Sequence, residues 1–359
     1  SRIRYLLEPY MLNLPVEIQL DIIDLDSTLY TIWPLLSRKA ALDTRFDEDM
    51  NKHRRWKRFS LSRDKNKVIL LEQQHFNHGR CDGEYKEYYD TGVVKKQAYL
   101  LDDKLNGIFK QYYPSGKLQH ERNYKNSKRE GPCCSFFENG QLHVRTHYKN
   151  GKYHGQYIEH YHNGQMHVRC LYDNGNKDGE SKSWYPNGVT RSHCFMKQDK
   201  VHGTFLRWHE NTGAKQIECF MSEGVDDGLY TQYYENGKKQ IQRNYKNGIE
   251  QGEHKEWHIN GNIRVLCNKK NNYEDGLYQE WYEDGQLKVQ CFYEDCRMHG
   301  EFKEWFSTGR MRFFCLYDNG KLKGTYKEWT PNGKIKEKRY YTAGKMYKQK
   351  RWNARGQRI

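Results

Sequence analysis

The sequence is poor in proline and has no long apolar run. Seven prolines are spread over 359 residues, and no Gly/Ser-rich stretch separates domains. No apolar segment approaches the roughly 20 residues that a membrane-spanning helix needs. The N-terminal stretch lacks the continuous apolar core of a signal peptide. We therefore expect neither a transmembrane segment nor a secretory leader.

The sequence also lacks the common motifs of catalysis and metal binding. It contains no P-loop, dinucleotide fingerprint, HExxH helix, nucleophile elbow or kinase signature. Cys133 and Cys134 are adjacent but have no CxxC partner, which argues against a zinc site. Six histidines lie between His143 and His167, and for them we favour a repeated polar surface over metal binding. We predict a non-enzymatic protein with no catalytic residue, no bound metal and no cofactor.

What the sequence does have is a repeat. From about residue 83 onward, glycines recur at steps of 24 residues with a single step of 25, which is typical of a repeat architecture. The first glycines are Gly83, Gly107, Gly131, Gly155, Gly179, Gly203, Gly228, Gly252, Gly276, Gly300 and Gly324. A second glycine follows nine residues later, or ten where Asn211–Thr212 absorbs an insertion.

The pattern inside each repeat predicts a β-hairpin. Counted from the first glycine, positions +2 and +5 are mostly aromatic, as in Tyr278 and Trp281, and an Asn-Gly or Asp-Gly turn usually follows. After the second glycine, apolar and polar residues alternate, which indicates a strand with one buried face. Examples are Leu287, Val289, Cys291 and Tyr293. Because positions +2 and +5 have opposite parity, we expect a bulge or a strong twist in the hairpin.

The repeat register assigns most of the ten cysteines to a buried face. Six of them occupy one position, six residues after the second glycine, namely Cys170, Cys194, Cys219, Cys267, Cys291 and Cys315. Equivalent strands of successive repeats lie two strand spacings apart, about 9–10 Å, whereas a disulfide needs Cα atoms within about 7 Å. We therefore predict free core thiols and an intracellular, reducing compartment.

These repeats resemble the MORN family in its variant form, G-x-Y-x-x-Y-Y-x-N-G-x-L-x-x-x-x-x-Y. The resemblance covers about residues 68–359. It implies a mainly β fold, an elongated, twisted antiparallel sheet of about eleven 24-residue hairpins. The family is associated with scaffolding, with dimerisation and with protein or membrane-proximal contacts, and we expect such a role here.

Residues 1–67 differ from the repeats and predict a small helical segment followed by a linker. Asn13 suits a helix N-cap with Pro15 in the first turn. The segment resembles an F-box over about residues 12–45, which implies binding to the adaptor of cullin ubiquitin ligases. The residues that would make this contact are Leu14, Pro15, Glu17, Ile18, Ile22 and Leu25. The alternative is a helical cap that covers the exposed edge of the array. The basic run His53–Arg58 we interpret as linker.

The net charge of +15 is concentrated near the C-terminus. Residues 1–67 carry +3 and residues 334–359 carry +9, which leaves +3 for residues 68–333. The C-terminal segment mixes basic and aromatic residues, which suits nucleic acid, lipid headgroups or an acidic protein. The alternative is a polar cap that keeps the array soluble. The candidate anion-binding residues are Lys336, Lys338, Arg339, Lys345, Lys348, Lys350, Arg351, Arg355 and Arg358.

A second series of mostly basic residues lies three positions after each second glycine. This ladder comprises Lys95, Gln119, His143, His167, Arg191, Gln216, Gln240, Arg264, Lys288, Arg312 and Lys336. It could grip a phosphate backbone or anionic lipid. However, glutamates such as Glu280 punctuate the first strand of many repeats, so we favour a balanced, solvated face.

We therefore predict a structural or scaffolding protein that contacts protein partners. An F-box-like segment joined to a variant MORN array resembles proteins of large DNA viruses of amoebae, which implies a virion component such as a minor capsid protein in the host cytoplasm or the particle. Two alternatives remain open. One is an F-box substrate receptor of a cullin ubiquitin ligase, and the other is a binder of nucleic acid or anionic membrane through residues 334–359.

Overall fold

The computed structural model describes residues 53–61, 68–78, 80–353 and 355–359. All 29 elements in these ranges are β-strands, and no helix occurs within them. The mainly β fold predicted from the repeats is confirmed. The predicted helical segment, with Leu14, Pro15, Glu17, Ile18, Ile22 and Leu25, lies outside the described residues.

The chain divides into two compact units, residues 1–176 and 177–359. The strands of the first unit are β1 (His53–Leu61), β2 (Val68–Asn77), β3 (Arg80–Tyr88), β4 (Val94–Leu101), β5 (Lys104–Leu105), β6 (Gly107–Tyr112), β7 (Leu118–Lys125), β8 (Lys128–Phe136), β9 (Leu142–Lys149), β10 (Lys152–Tyr153), β11 (Gly155–His160) and β12 (Met166–Asp173).

The second unit holds the remaining strands, apart from the first residue of β13. They are β13 (Asn176–Trp184), β14 (Thr190–Lys197), β15 (Lys200–Trp208), β16 (Lys215–Ser222), β17 (Val225–Tyr233), β18 (Lys239–Lys246), β19 (Ile249–Glu250), β20 (Gly252–Trp257), β21 (Ile263–Lys270), β22 (Tyr273–Trp281), β23 (Leu287–Glu294), β24 (Arg297–Met298), β25 (Gly300–Trp305), β26 (Met311–Asp318), β27 (Lys321–Trp329), β28 (Ile335–Thr342) and β29 (Lys345–Arg351).

Antiparallel pairing begins before the first full repeat. Strand β1 pairs with β2, and β2 pairs with β3. The basic run His53–Arg58, which the sequence suggested to be linker, lies in β1 and pairs with residues of β2. Strand structure therefore starts upstream of residue 68, where the sequence placed the start of the array.

Eleven hairpins follow the 24-residue period, and each carries the same bulge. In β22–β23, Tyr278 lies opposite Cys291 and Glu280 opposite Val289, but Trp281 lies opposite Leu287. The same register shift falls between positions +4 and +5 of all eleven hairpins. Of the two explanations expected for the parity of the aromatic positions, a bulge or a strong twist, the structure shows a bulge, and the extra residue is the ladder residue.

Two kinds of turn connect the strands. Within a repeat, the Gly285 amide donates to the Tyr282 carbonyl at 3.0 Å, and Gly285 has a φ of 89°. Between repeats, Asn247 and Gly248 have φ values of 49° and 77°, the left-handed pair of a two-residue type I′ turn. This second turn returns the chain alongside the strand it has just left, so that Tyr245 lies opposite Glu250. The link between consecutive repeats is therefore itself a hairpin turn.

The core lies on the side of the sheet that carries the repeated cysteines, which we call the cysteine face. All six are 1–7% exposed, and all ten cysteines are free. Aromatic rings line the same face, as where Tyr278 meets Tyr293 with ring centroids 6.3 Å apart. The prediction of buried core thiols is confirmed. The other side, which carries positions +1 and +3 such as Leu277 and Gln279, we call the opposite face.

Hydrogen bonds from position +6 couple consecutive repeats within each unit. The hydroxyls of Tyr89, Tyr113, Tyr185, Tyr234 and Tyr282 donate to the carbonyl oxygens of Tyr112, Phe136, Trp208, Trp257 and Trp305 at 2.8–3.1 Å. The Nε2 atoms of His209 and His258 make the same contact at 3.0 Å. This donor role explains why tyrosine or histidine follows the aromatic residue at +5 in most repeats.

Candidate anion-binding face

Three lysines align in a row across β27, β28 and β29. Lys327 lies directly opposite Lys338, and Lys338 lies directly opposite Lys350. Residues that pair across two antiparallel strands project from the same side of the sheet. For these three lysines that side is the opposite face, the one that carries positions +1 and +3. Because neighbouring strands lie about 4.8 Å apart, the row is about 10 Å long.

The row has no counter-ion within the described part of the chain, although equivalent lysines do. At position +3 of other repeats, Lys86, Lys255 and Lys303 pair with the glutamate at position +1 of the same strand, at 2.7, 2.7 and 2.5 Å. In β27 position +1 is Thr325. Lys327 therefore lacks the carboxylate that these three lysines have, and the residues opposite it are Lys338 on β28 and Phe314 on β26.

Like charges placed directly opposite each other destabilise an antiparallel pair. Lys327, Lys338 and Lys350 are partly buried, so solvent screens their mutual repulsion only in part. A bound anion would relieve this repulsion. Within the basic C-terminus, the row is thus the group of cations whose repulsion no carboxylate of the described chain offsets.

Three of the nine predicted residues already have carboxylate partners. Lys336 pairs with Glu328 at 2.7 Å, and Arg339 and Arg351 pair with Glu337 at 2.6 and 3.0 Å. Burial alone would raise the pKa of Glu337, but hydrogen bonds from Arg339, Gln349 and Arg351 outweigh it and lower the pKa to about 2. These pairs belong to the cysteine face and the bulge, where they hold the last strands together.

The other six predicted residues lie in three places. Lys338 and Lys350 belong to the row, and Lys348 lies on the same face opposite Tyr340. Lys345 lies at the exposed start of β29. Arg355 and Arg358 lie in the exposed segment after β29, where Arg358 forms a bridge with Trp352.

Aromatic rings lie beside the row. The Lys338 ammonium is 5.7 Å from the centroid of the Trp352 ring, and the Lys348 ammonium is 5.8 Å from the centroid of the Tyr340 ring. Cations over aromatic faces are favourable. The face therefore combines ammonium groups with rings that these groups partly cover.

Sequence reasoning missed Lys327, because it lies before the charge-dense segment that starts at residue 334. Alignment of the repeats at position +3 could have found it. That alignment shows lysine without a preceding glutamate in the last full repeat, but the cross-strand neighbours become visible only once the bulge register is known.

Where position +4 is glutamate, that glutamate neutralises the basic ladder residue. Lys95 pairs with Glu87 at 2.5 Å and Lys288 with Glu280 at 2.6 Å. Arg312 pairs with Glu304 at 2.6 Å. The ladder residue is the extra residue at the bulge and also covers the ring at position +6, as Lys288 does over Tyr282 at 5.7 Å. This geometry supports the interpretation of the ladder as a balanced, solvated face.

The histidine-rich stretch has a packing explanation. His143 and His167 both face Glu159, at 4.0 and 3.3 Å, and their rings lie 4.3 Å from those of Phe137 and Tyr161. Among the described residues, no three His, Cys, Asp or Glu side chains group as metal ligands. Within the same residues, no helix has the length and apolar character to cross a membrane.

The opposite face of the second unit also exposes large apolar side chains. Leu277 and Phe292 lie directly opposite each other and are 44% and 43% exposed. The equivalent positions of the hairpins β13–β14, β15–β16 and β17–β18 carry the similarly exposed Phe195, Phe220 and Leu229. The intervening hairpin β20–β21 has the polar pair Glu253 and Asn268 there. Large apolar side chains exposed repeatedly on one surface are typical of contact sites.

Eight segments of the chain match the MORN repeat variant family. They are residues 82–102, 105–126, 129–150, 153–174, 177–198, 226–247, 274–295 and 322–343. Residues 82–343 carry MORN-variant repeats. The hairpins β15–β16, β20–β21 and β25–β26 lie between matched segments and share the MORN-variant bulge register. MORN repeats form a non-enzymatic repeat family suited to protein or membrane contacts.

Other comparisons add little to the MORN-variant assignment. No curated protein matches the sequence. The chain is similar at 10% identity to structures titled TcdB2-TccC3-Cdc42 and TcdB2-TccC3, covering 84% of this chain and 23% of the other chain, each with a TM-score of 0.13. The chain thus spans about a quarter of the length of these structures, and the likeness is too weak to inform fold or function.

Proposed function

We propose that this protein is a non-enzymatic scaffold whose MORN-variant repeats hold protein partners on the opposite face. The observation that carries the proposal is the series of exposed apolar side chains on this face, namely Phe195, Phe220, Leu229, Leu277 and Phe292. The cysteine face is occupied by the core, and the ladder is neutralised by glutamates. The opposite face is therefore the surface on which large apolar side chains remain exposed to solvent.

The test removes this apolar series without disturbing the hairpins. Asn244 and Asn268 naturally occupy the position equivalent to Phe195, Phe220 and Phe292, so the triple Phe→Asn variant should fold. Wild type is expected to capture a defined partner from an extract of the source cells, and the variant is expected to lose it. A control variant changes the exposed turn residue Gln286 to Asn. Equal capture by all three proteins would refute the proposal.

A finer form of the proposal places the protein in a virion of a large DNA virus, as a minor capsid protein or another component. Its support is the sequence resemblance of an F-box-like segment joined to variant MORN repeats. Free thiols at all ten cysteines fit the proposed reducing host cytoplasm. Mass spectrometry of purified particles tests the proposal, and absence of the protein from particles in which capsid proteins are detected would refute it.

The F-box-like segment supports a second form, a substrate receptor of a cullin ubiquitin ligase. Leu14, Pro15 and Ile18 would contact the ligase adaptor, and the repeats would hold the substrate. Wild type should capture purified adaptor, and a Leu14→Ala, Pro15→Ala variant should not. Failure of wild type to bind, or equal binding by the variant, would exclude this role.

The lysine row favours a further function, binding of an anionic surface through the C-terminal strands. Its support is the absence of any carboxylate partner for Lys327, Lys338 and Lys350 in the part of the chain that the structure describes. Binding of polyanions should weaken as salt rises. Salt-independent binding, or none to any polyanion, would contradict it.

A further inference from the structure

We propose that the face formed by β27, β28 and β29 binds single-stranded nucleic acid, with Lys327, Lys338 and Lys350 holding successive phosphates. This inference rests on the proposed anion-binding function and names its ligand. It also adds Lys327 to the site and assigns base contact to the rings of Trp352 and Tyr340, while position 325 matters only because it carries no negative charge.

The three positive charges lie in a line that runs across the strands. Lys327, Lys338 and Lys350 succeed one another from strand to strand, at intervals of about 4.8 Å. Long lysine side chains can spread their ammonium groups beyond this interval to follow the phosphates of an extended strand. A linear polyanion that crosses the strands can neutralise all three, whereas an isolated carboxylate can neutralise only one.

Thr325 makes the row available. Where glutamate occupies the same position, as Glu253 and Glu301 do, the neighbouring lysine is held at 2.7 and 2.5 Å and its charge is internally satisfied. Thr325 has no charge to offer Lys327. The residue at position +1 thus distinguishes Lys327 from the neutralised Lys255 and Lys303.

The rings give the face a means of contacting bases. Lys338 lies over Trp352 and Lys348 lies over Tyr340. When these ammonium groups turn to phosphates, they uncover ring faces on which bases can stack, and such stacking tolerates any sequence. Basic groups along a line with adjacent aromatic rings are the combination that non-specific single-strand binding uses.

A membrane fits this face less well. Peripheral membrane contact requires apolar side chains that enter the acyl boundary as well as basic residues. In β27, β28 and β29 the exposed large apolar side chains are Met346 and Tyr347, both on β29 and outside the row. An acidic protein would use the lysines but would leave the rings without a role.

The experiment measures binding of the full chain to three probes at several salt concentrations. They are a fluorescent 20-nucleotide oligodeoxythymidylate, polyglutamate, and vesicles of phosphatidylcholine with phosphatidylserine. We expect the oligonucleotide to bind at least tenfold more tightly than polyglutamate and the vesicles to bind more weakly still. The triple variant Lys327→Gln, Lys338→Gln, Lys350→Gln should lose at least tenfold in affinity. Its salt slope should fall by about 2, the value for three single-strand phosphate contacts.

Matched variants separate specific from general effects. Thr325→Glu should weaken oligonucleotide binding severalfold because it supplies the missing counter-ion, whereas Thr325→Gln and Lys255→Gln should bind as wild type. Trp352→Leu should weaken oligonucleotide binding about tenfold through lost stacking and leave polyglutamate binding unchanged. Melting temperatures confirm that each variant is folded, and Thr325→Glu tests the row without altering any ring.

The outcomes distinguish the inference from the function on which it rests. Equal affinity for vesicles, polyglutamate and oligonucleotide would overturn nucleic-acid recognition but keep anion binding. Oligonucleotide binding unaffected by the triple lysine variant and by Thr325→Glu would overturn the row as the site. Binding to none of the probes would overturn both.

Discussion

The hydroxyl of Tyr282 donates a hydrogen bond to the carbonyl oxygen of Trp305 in the next repeat, 2.9 Å away. The contact recurs at position +6 in both units, with histidine in place of tyrosine at His209 and His258. It joins the turn of one hairpin to the first strand of the following one. In a repeat array, stability depends on such nearest-neighbour contacts.

Removing this hydroxyl should weaken the coupling between two repeats. Tyr282→Phe is expected to cost about 1 kcal/mol, the typical net value of one hydrogen bond, measured by urea unfolding. Phe306 occupies the equivalent position naturally, so the ring itself is tolerated there. The matched variant Phe306→Tyr should gain stability. A Tyr282→Phe protein as stable as wild type would show that the bond contributes nothing.

The core cysteines should resist thiol reagents. Burial raises the pKa of Cys291 to about 11 and does the same for Cys315, so the reactive thiolate is scarce near neutral pH. Cys296 is exposed. Maleimide labelling of the folded protein, followed by peptide mapping, should modify Cys296 long before either core cysteine. Labelling of Cys291 at the same rate as Cys296 would contradict the buried position.

Acid should loosen the last strands through Glu337. The pKa of this carboxyl is about 2 in the folded protein, below its ordinary value, so its ion pairs stabilise the fold above about pH 4.5. That contribution should disappear as the pH falls towards 2. Glu337→Gln should therefore be less stable than wild type at pH 7 and approach it near pH 2, as thermal unfolding would show. A difference independent of pH would argue against this role.

The ladder should contribute little to stability. Lys288 is 37% exposed where it pairs with Glu280, and such surface pairs contribute about 0–1 kcal/mol. Lys288→Ala is expected to change the free energy of unfolding by about 0.5 kcal/mol, as measured by urea unfolding. A loss above about 2 kcal/mol would mean that the bulge depends on this ion pair.

Much of the fold could be predicted from the sequence because the same pattern of glycines, aromatic residues and alternating apolar residues recurs from repeat to repeat. The spacing of Gly276 and Gly285 predicts a hairpin, and alternation around Cys291 predicts its buried face. The parity conflict between Tyr278 and Trp281 predicts the bulge. These rules are local, because each residue type is determined by its position in its own strand or turn.

The candidate site was harder to predict because it depends on register across strands. Sequence alone placed Arg339 and Arg351 with Lys338 and Lys350 in one basic segment. Because side chains alternate along a strand, Arg339 and Arg351 form ion pairs with Glu337. Lys338 and Lys350 instead project from the opposite face, in a row with Lys327. Charge density along the chain shows where cations are numerous, whereas the strand register shows which of them lack a partner.

Site-specific photo-cross-linking tests the central claim that the opposite face carries the contacts. A benzophenone amino acid replaces Phe292 on that face in one protein and Gln286, in the neighbouring exposed turn, in another. In an extract of the source cells, we expect irradiation to join the first protein to a defined partner and to leave the second without one. Cross-links from position 286 but none from position 292 would contradict the claim.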